Sequence, residues 1–524
     1  VVAEGRLTEV PGVGERIAQR ITELLSTGRM KFHDELVDTT PPGYLEMIRV
    51  PGLGTKKVRA LGEALEIASL AELKKAALEG RIRTLPGFGA QSEKKILAGI
   101  AVVEKGAGRF LAPVARAVAE DLIGRLGRLE AVSAAEVGGS LRRWMETAKD
   151  VDLLVATSRP ALVTKRFLEW LPDAALIGSG DTKTSVRLPN GLAVDLRLVS
   201  AKQFPFALHY FTGSVAHNVK VRSRAQARGL SLNEYALSGK RHAPVRTEAD
   251  LFRLLGLQYI EPELREDLGE VEAAERDQLP ELVALAHMKG ILHCHTTASD
   301  GRSTLVEMAE AARARGASYL GITDHSRSVR YAGGLEEEDL KRQRKEIDRW
   351  NAGRSGLRIL HGSEVDILPD GSLDFPDRVL ETLDFVIASV HTNFTMSEEA
   401  MTERVCRALR NRHVSILAHP TGRLLLERGG YRIRLPEVFR VAAEEGVVLE
   451  INAHPHRLDL DWREIRAAKT AGAAFAVNPD AHVTSGYDDI RYGIGVARKG
   501  WLTKRDVVNA LPVETLLERF RARR

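Results

Sequence analysis

Asp150 and Asp152 stand one residue apart in AKDVDLLVA, a run whose apolar character reads as a β-strand. Residues i and i+2 of a strand point to one face, so the two carboxylates converge. Asp195 lies in a second strand-like run, LAVDLRLV. Three carboxylates on adjacent strands repel one another unless cations neutralise them. The natural occupants are two Mg²⁺ or Mn²⁺ ions about 3.5–4 Å apart that also hold triphosphate oxygens. Just upstream, AEVGGSLRRW reads as strand, Gly-Gly-Ser turn and helix. Gly139 and Ser140 can cradle phosphates at that helix N-terminus, and Arg143 supplies a guanidinium. Asp-x-Asp alone is usually a surface pair; joined to this turn and a third strand aspartate, it points to nucleotidyl transfer.

A second set of chemistry-bearing residues fills the back of the chain. Apolar runs end repeatedly in metal-ligand types: GILHCHTTASDG, YLGITDHS, RILHGSEVDI, DFVIASVH, VSILAHP and AAFAVNPDAH. They bring His293, His295, Asp300, His325, Glu364, His391, His419, Asp480 and His482. A lone histidine at a strand end is more often a hydrogen-bonded structural residue, but that does not account for six such ends. Imidazoles with carboxylates suit Zn²⁺, Mn²⁺ or Fe, and nine ligands exceed what one tetrahedral ion uses, so two or three ions are expected. Such a cluster would activate water for attack on phosphorus and stabilise the leaving oxygen.

The elements that must position these groups follow from the same runs. Strands alternate with amphipathic stretches such as RSTLVEMAEAARARG over the C-terminal region, the layout of a β/α barrel with ligands at strand C-terminal ends. Cys294, between His293 and His295, is expected to point away as a small core residue. The front of the chain repeats apolar-Pro-Gly-x-Gly before a basic helix: VPGVGERIAQRI, VPGLGTKKVRAL and LPGFGAQSEKKIL. Their glycines, Gly12/Gly14, Gly52/Gly54 and Gly87/Gly89, let backbone N–H groups approach an anion. Three copies followed by Lys and Arg read as helix-hairpin-helix elements that grip DNA backbone without reading sequence.

Charge agrees with this division. Residues 1–260 carry 38 Lys+Arg against 28 Asp+Glu, and residues 261–524 carry 38 against 43. The negative balance is concentrated in residues 261–285, with nine acids and two arginines, which reads as an exposed, partly helical connector. A formal charge of +5 excludes a histone-like polycation, and 5% aromatic residues argues against aromatic stacking platforms as the main binding device. Two cysteines make a disulfide framework unlikely and favour a reducing cytosol. No apolar run approaches the ~18 residues of a membrane span. The opening VVAEGRLTEV, without Met, suggests that the first residue lies inside a longer natural protein.

Residues 1–260 resemble the X-family DNA polymerases, close to the polymerase beta group, through two hairpin repeats, GGSLRR, KDVDLL, VDLRLV, YFTGSVAHNVKVR and LSLNEYAL. That resemblance implies that Asp150 and Asp152 hold both metals and Asp195 the metal that activates the primer 3′-hydroxyl. It also implies that Tyr210, Phe211 and Gly213 line the sugar pocket and that Asn218 and Arg222 face the nascent pair and template. Members with 5′-deoxyribose-phosphate lyase activity have a Schiff-base lysine where this chain has Arg20, so no lyase activity is expected from that position. Residues 286–515 resemble the polymerase-and-histidinol-phosphatase (PHP) phosphoesterases, with all nine ligand positions filled. By that likeness one ion uses His293, His295, Glu364 and Asp480. A second shares Glu364 and adds His391 and His419, and a third uses Asp300, His325 and His482.

The expected protein is multidomain: an α-helical helix-hairpin-helix region, an α/β nucleotidyltransferase palm with a small thumb, then a PHP-type β/α barrel. Its expected divisions are 1–32 (remnant of an 8-kDa-like hairpin domain), 33–108 (fingers-like), 109–204 (palm), 205–262 (thumb), 263–285 (acidic linker) and 286–524 (PHP). The expected function is bacterial, cytoplasmic, nucleoid-associated repair. A monomer with gapped or primer-template DNA and dNTP as partners would fill short gaps, and a 3′-5′ exonuclease would process 3′ ends or abasic sites. The alternatives are a small-molecule phosphatase in the back half, or a DNA-end scaffold with one inert site.

Overall fold

The computed structural model describes residues 6–9, 13–353 and 356–523, and the chain divides into two compact units, 1–107 and 108–524. The first unit is helical. Thr55–Leu65 buries Val58 and Leu61, Leu70–Leu78 buries Leu70, Leu73, Ala76 and Ala77, and Ala90–Gly106 carries the buried Ile96, Ile100 and Val103. These i, i+3, i+4 spacings form apolar stripes that close one core with Met47, Val50 and Ile82. Gly14, Gly54 and Gly89 each stand in extended backbone immediately before a helix, at φ −82°, −81° and −107°. The glycine before the helix therefore has the same backbone geometry in all three repeats.

The second unit begins with a five-stranded sheet. Its order is Val132–Val137, Asp150–Thr157, Ala193–Val199, Lys183–Arg187 and Ala175–Ser179. Asp150–Thr157 and Ala193–Val199 run parallel, with Asp152 directly opposite Asp195; the other neighbours are antiparallel. Val151, Leu153 and Val155 share a core with Ala115, Ala119 and Leu122 of helix Ala112–Leu126. The opposite face carries Leu154 and Val199 against Ala207 and Leu208 of helix Phe204–Thr212. Strand alternation puts Asp150 and Asp152 on that second face, at its open end.

The segment expected as an exposed connector is packed instead. Pro262, Glu263, Leu264, Arg265, Glu270, Val271, Ala273 and Ala274 are all buried. Its acids are consumed by partners from other elements: Glu263 pairs with Arg498, Glu266 with Arg143 and Lys499, and Glu270 with His217. Composition cannot distinguish such paired acids from solvated ones. The fully buried Arg265 and the half-buried Arg142 also converge on Glu248, each at 2.6 Å. Burial opposes the Glu248 charge, but Arg265 and Arg142 hold its carboxyl at about 2. Glu248→Ala is expected to cost ~3–5 kcal/mol by leaving two guanidiniums without their carboxylate. Because the folded pKa lies below the ordinary value near 4.3, the stabilisation is complete above that value and is lost as pH falls toward 2. The gap in denaturation midpoint between variant and parent should be full at pH 7 and narrow below about 4.

Among the described residues beyond 286, all strand pairing within sheets is parallel. A three-stranded sheet (Gly290–Ile291, Tyr319–Ile322, Arg358–His361) and a five-stranded sheet (Glu364–Asp366, Ile387–Ser389, Ile416–Leu417, Val448–Asn452, Phe475–Asn478) follow in chain order. Single parallel bridges, His325 to Glu364 and Cys294 to Ala481, join one sheet to the other. This ring of parallel pairings is consistent with the expected barrel. Ile291, Leu320, Ile322 and Ile359 pack with Met308, Ala309 and Ala312 of helix Leu305–Ala314 on its outside. Cys294 is buried in that core, and both cysteines are free. Among the described residues no helix is long and apolar enough to cross a membrane.

Candidate functional site

The strand register brings Asp150, Asp152 and Asp195 together, as i, i+2 spacing demands on one strand and parallel pairing demands on the next. Burial, then the neighbouring Asp150 and Asp195 charges, push Asp152 up to about 6. A cation among the three would relieve that repulsion, so the donor set fits divalent metal. Gly139 adopts φ +59°, and a Cβ there would lie 2.2 Å from Asp152 Oδ2. Only glycine lets the GGS turn pass this close to the carboxylate. Ser140 follows it in the short helix Gly139–Arg142. Arg143, just after, donates from Nε to Glu266 Oε1 at 3.0 Å and from its other end to the Thr212 carbonyl.

Tyr210 and Phe211 meet edge to face at 5.1 Å, and the Phe211 backbone lies close to Gly138 beside Asp152. Gly213 takes φ +72° with the Arg143 guanidinium against it. The Asn218 amide donates to the Tyr210 carbonyl at 2.8 Å, so that side chain braces the aromatic pair; Arg222 is exposed. Sequence reasoning missed Lys183 and Ser185, which hold Asp195 at 2.7 and 2.6 Å. It also missed Arg197, stacked over Phe211 at 4.0 Å. Lys183 and Ser185 lie on the antiparallel neighbour of the Asp195 strand, a pairing that no local pattern announces.

In the first unit, Gly52 and Gly87 take φ +83° and +80°, and a Cβ at Gly14, Gly54 or Gly89 would meet no atom within 4 Å. Neither strain nor packing therefore requires glycine at those last three positions. Gly12 lies outside the described residues. Arg20 stacks on Phe32 at 3.7 Å.

The nine histidines and acids of the C-terminal region converge on one centre. Three groups have ligand atoms close enough to share an ion: His293, His295 and Asp480; His295, Asp300, His325 and His482; and His325, Glu364 and His391. His419 reaches the same Glu364, with Nε2 3.0 Å from Oε1. Two atoms each about 2.1 Å from a tetrahedral ion stand roughly 3.4 Å apart. His293 Nε2 lies 3.4 Å from Glu364 and 3.5 Å from Asp480, and His295 Nε2 3.5 and 3.2 Å from the same pair. Asp300 lies 3.5 Å from His325 Nε2 and 3.4 Å from His482 Nε2. His293 Nε2 and both His295 nitrogens are buried without a hydrogen-bond partner. The residues fit metal ions.

The charges are arranged accordingly. Burial opposes the Glu364 charge, but His391, His293 and His325 hold it well below the usual carboxylate range. Burial likewise opposes Asp480, which His293 and His295 hold down. Burial would lower His325, but Glu364 and Asp300 raise it to about 10.

Over 521 residues the chain is 40% identical to the DNA polymerase/3′-5′ exonuclease PolX of Bacillus subtilis (strain 168), covering 98% of this chain and 91% of that one. The chain belongs to the PolX family. Family models match three segments: SAM-like helix-hairpin-helix tandem over 44–101, DNA polymerase beta thumb over 207–266, and PHP domain over 292–454. Rat DNA polymerase lambda is 29% identical over 295 residues, 49% of this chain and 48% of its own. A probable phosphatase of Thermoanaerobacter sp. (strain X514) is 31% identical over 236 residues, 42% of this chain and 91% of its own.

Within this PolX-family chain, the histidine centre has partners the motifs did not reveal. Glu450 accepts from His293 Nδ1 at 2.7 Å, and its other oxygen accepts from the His419 backbone N–H at 2.9 Å. Asp366 lies 3.4 Å from His391 Nδ1. Each carboxylate turns an imidazole so that Nε2 faces the centre. The signal for Glu450 was a charged residue in the otherwise apolar run VVLEI, wholly buried in the fold.

Proposed function

We propose that this chain is a DNA repair polymerase that fills short gaps, with a 3′-5′ exonuclease in the same polypeptide. The observation that carries the reading is that one chain, matched to PolX along 98% of its length, brings together both a three-carboxylate sheet edge and a nine-residue histidine/carboxylate centre. At the first site Asp150, Asp152 and Asp195 would hold two Mg²⁺ or Mn²⁺ ions, which when bound supply charge neutralisation to triphosphate and activation to the primer 3′-hydroxyl. The Ser140 hydroxyl and Arg143 guanidinium would orient the triphosphate, and Tyr210, Phe211 and Gly213 the sugar. Asn218, tied to Tyr210, keeps that aromatic pair in place, and Arg222 is exposed where template could reach it.

At the second site His293, His295, Glu364 and Asp480 would hold one ion. Glu364, His391 and His419 would hold another, and Asp300, His325 and His482 a third, with Zn²⁺, Mn²⁺ and Fe as the candidate metals. Bound there, such ions supply Lewis acidity at a phosphodiester and an activated water. Glu450 and Asp366 fix the imidazole orientations on which that geometry depends. A 3′-labelled one-nucleotide-gapped duplex tests the reading. With dNTP and Mg²⁺ the primer should lengthen, and without dNTP but with Mn²⁺ the label should be released as mononucleotide. Release of inorganic phosphate from small phosphomonoesters, with DNA ends untouched, would favour the phosphatase reading that the Thermoanaerobacter relative's name carries.

The hairpins would grip DNA backbone. Alanine fits the observed φ at Gly54 and Gly89 and meets no neighbouring atom, so the doubly substituted chain should fold unchanged. A methyl facing phosphate should nevertheless weaken binding to gapped duplex by roughly tenfold at fixed salt. Fluorescence anisotropy showing parent-like affinity would remove these turns from the DNA interface.

A further inference from the structure

We infer that Lys499, on the C-terminal side of the histidine centre, is a positioning residue for the polymerase nucleotide site. It would act through Glu266 on Arg143, and the inference rests on reading Arg143 as the guanidinium that meets triphosphate. Lys499 ends helix Ile490–Lys499 and is fully buried. Its three ammonium hydrogens find three acceptors: Glu266 Oε1 at 2.7 Å, the Arg143 carbonyl at 2.9 Å and the Glu263 carbonyl at 3.3 Å. The Trp462 ring lies 4.4 Å from the same nitrogen. Glu266 Oε1 also accepts from Arg143 Nε at 3.0 Å, so one carboxylate oxygen links the lysine to the guanidinium.

The surroundings leave this link little freedom. The guanidinium's far end donates to the Thr212 carbonyl, next to Gly213. The Ser214 N–H donates to the Arg265 carbonyl at 3.0 Å, so the chain that carries Glu266 also braces the turn after Gly213. Arg498 pairs with Glu263 at 2.6 Å, tying the same segment to the helix a second time. Trp144, beside Arg143, lies so close to that helix that a Cβ on Gly495 would come within 2.3 Å of its ring. A buried ammonium with all its donors used is a rigid reference point. Glu266 takes its position from it, and Arg143 takes its direction from Glu266. Without Lys499, the guanidinium would sample orientations that do not face the triphosphate.

The full-length protein tests this by steady-state gap filling with dNTP varied, using Lys499→Met, Glu266→Gln, Arg143→Ala and the double variant Arg143→Ala/Lys499→Met. Lys499→Met and Glu266→Gln should each raise KM for dNTP roughly tenfold with kcat within about twofold, while exonuclease rate stays at the parent value. The double variant should match Arg143→Ala alone, because the lysine acts only through that arginine. An unchanged KM in Lys499→Met, with KM raised in Arg143→Ala, would overturn the inference while leaving the Arg143 reading intact, whatever Glu266→Gln shows. So would strict additivity in the double variant. An unchanged KM in Arg143→Ala would instead overturn the Arg143 reading and the inference with it. If Lys499→Met does not fold, judged by lost exonuclease activity, an unchanged KM in Glu266→Gln still overturns the inference, because Glu266 is the proposed link.

Discussion

Asp152→Asn is expected to lower primer extension by at least about 10³-fold while leaving exonuclease activity at the parent level. The substitution keeps shape and removes one charge from the centre of the carboxylate set. Asp152 pairs in register with Asp195, shares its strand face with Asp150, and has the Gly139 turn packed against its carboxylate. No other described carboxylate occupies that position between the two partners. Relief of like-charge repulsion should leave the fold unharmed, and the variant should melt at or slightly above the parent temperature. Single-turnover extension on a one-nucleotide gap, with Mg²⁺ and with Mn²⁺, measures the effect. Extension within tenfold of the parent under both ions would remove Asp152 from the catalytic set.

Glu364→Gln should do the reverse. Nuclease activity should fall by at least about 10³-fold and the metal content of the purified protein should drop, with gap filling retained. Glu364 is buried at the point where the imidazoles meet. His325 approaches it at 3.0 Å, His419 at 3.0 Å, His391 at 3.3 Å, His293 at 3.4 Å and His295 at 3.5 Å. An amide in its place offers one neutral acceptor and turns N–H donors toward rings that need an anion or a shared cation. Elemental analysis beside 3′-label release checks both halves of the expectation. Full metal content with undiminished nuclease would show that Glu364 is not a ligand. If Asp152→Asn and Glu364→Gln each abolished both activities in folded protein, two independent centres would be the wrong description.

These expectations are legible in the sequence because their spacing is local. An i, i+2 pair on a strand must share a face, so Asp150-x-Asp152 declared a carboxylate edge. Polar residues at the ends of successive apolar runs must gather if the strands lie parallel, and His293 through His482 do gather. The hairpin glycines declared their turns because left-handed and then extended backbone recurs three and one residues before helices Thr55–Leu65 and Ala90–Gly106.

What stayed hidden was non-local pairing. Residues 261–285 look like a solvated acidic connector because sequence shows the acids and not the distant Arg143, His217, Arg498 and Lys499 that consume them. Lys183 meets Asp195 only through antiparallel register, and Glu450 orients His293 across a separation of 157 residues. Sequence alone therefore determined which side chains could do chemistry and which face of each element carries them, since helix and strand periods are properties of the backbone. The tertiary structure decided how those side chains are charged, aimed and braced. Burial and ion pairing depend on which elements end up adjacent, and no local repeat encodes that adjacency.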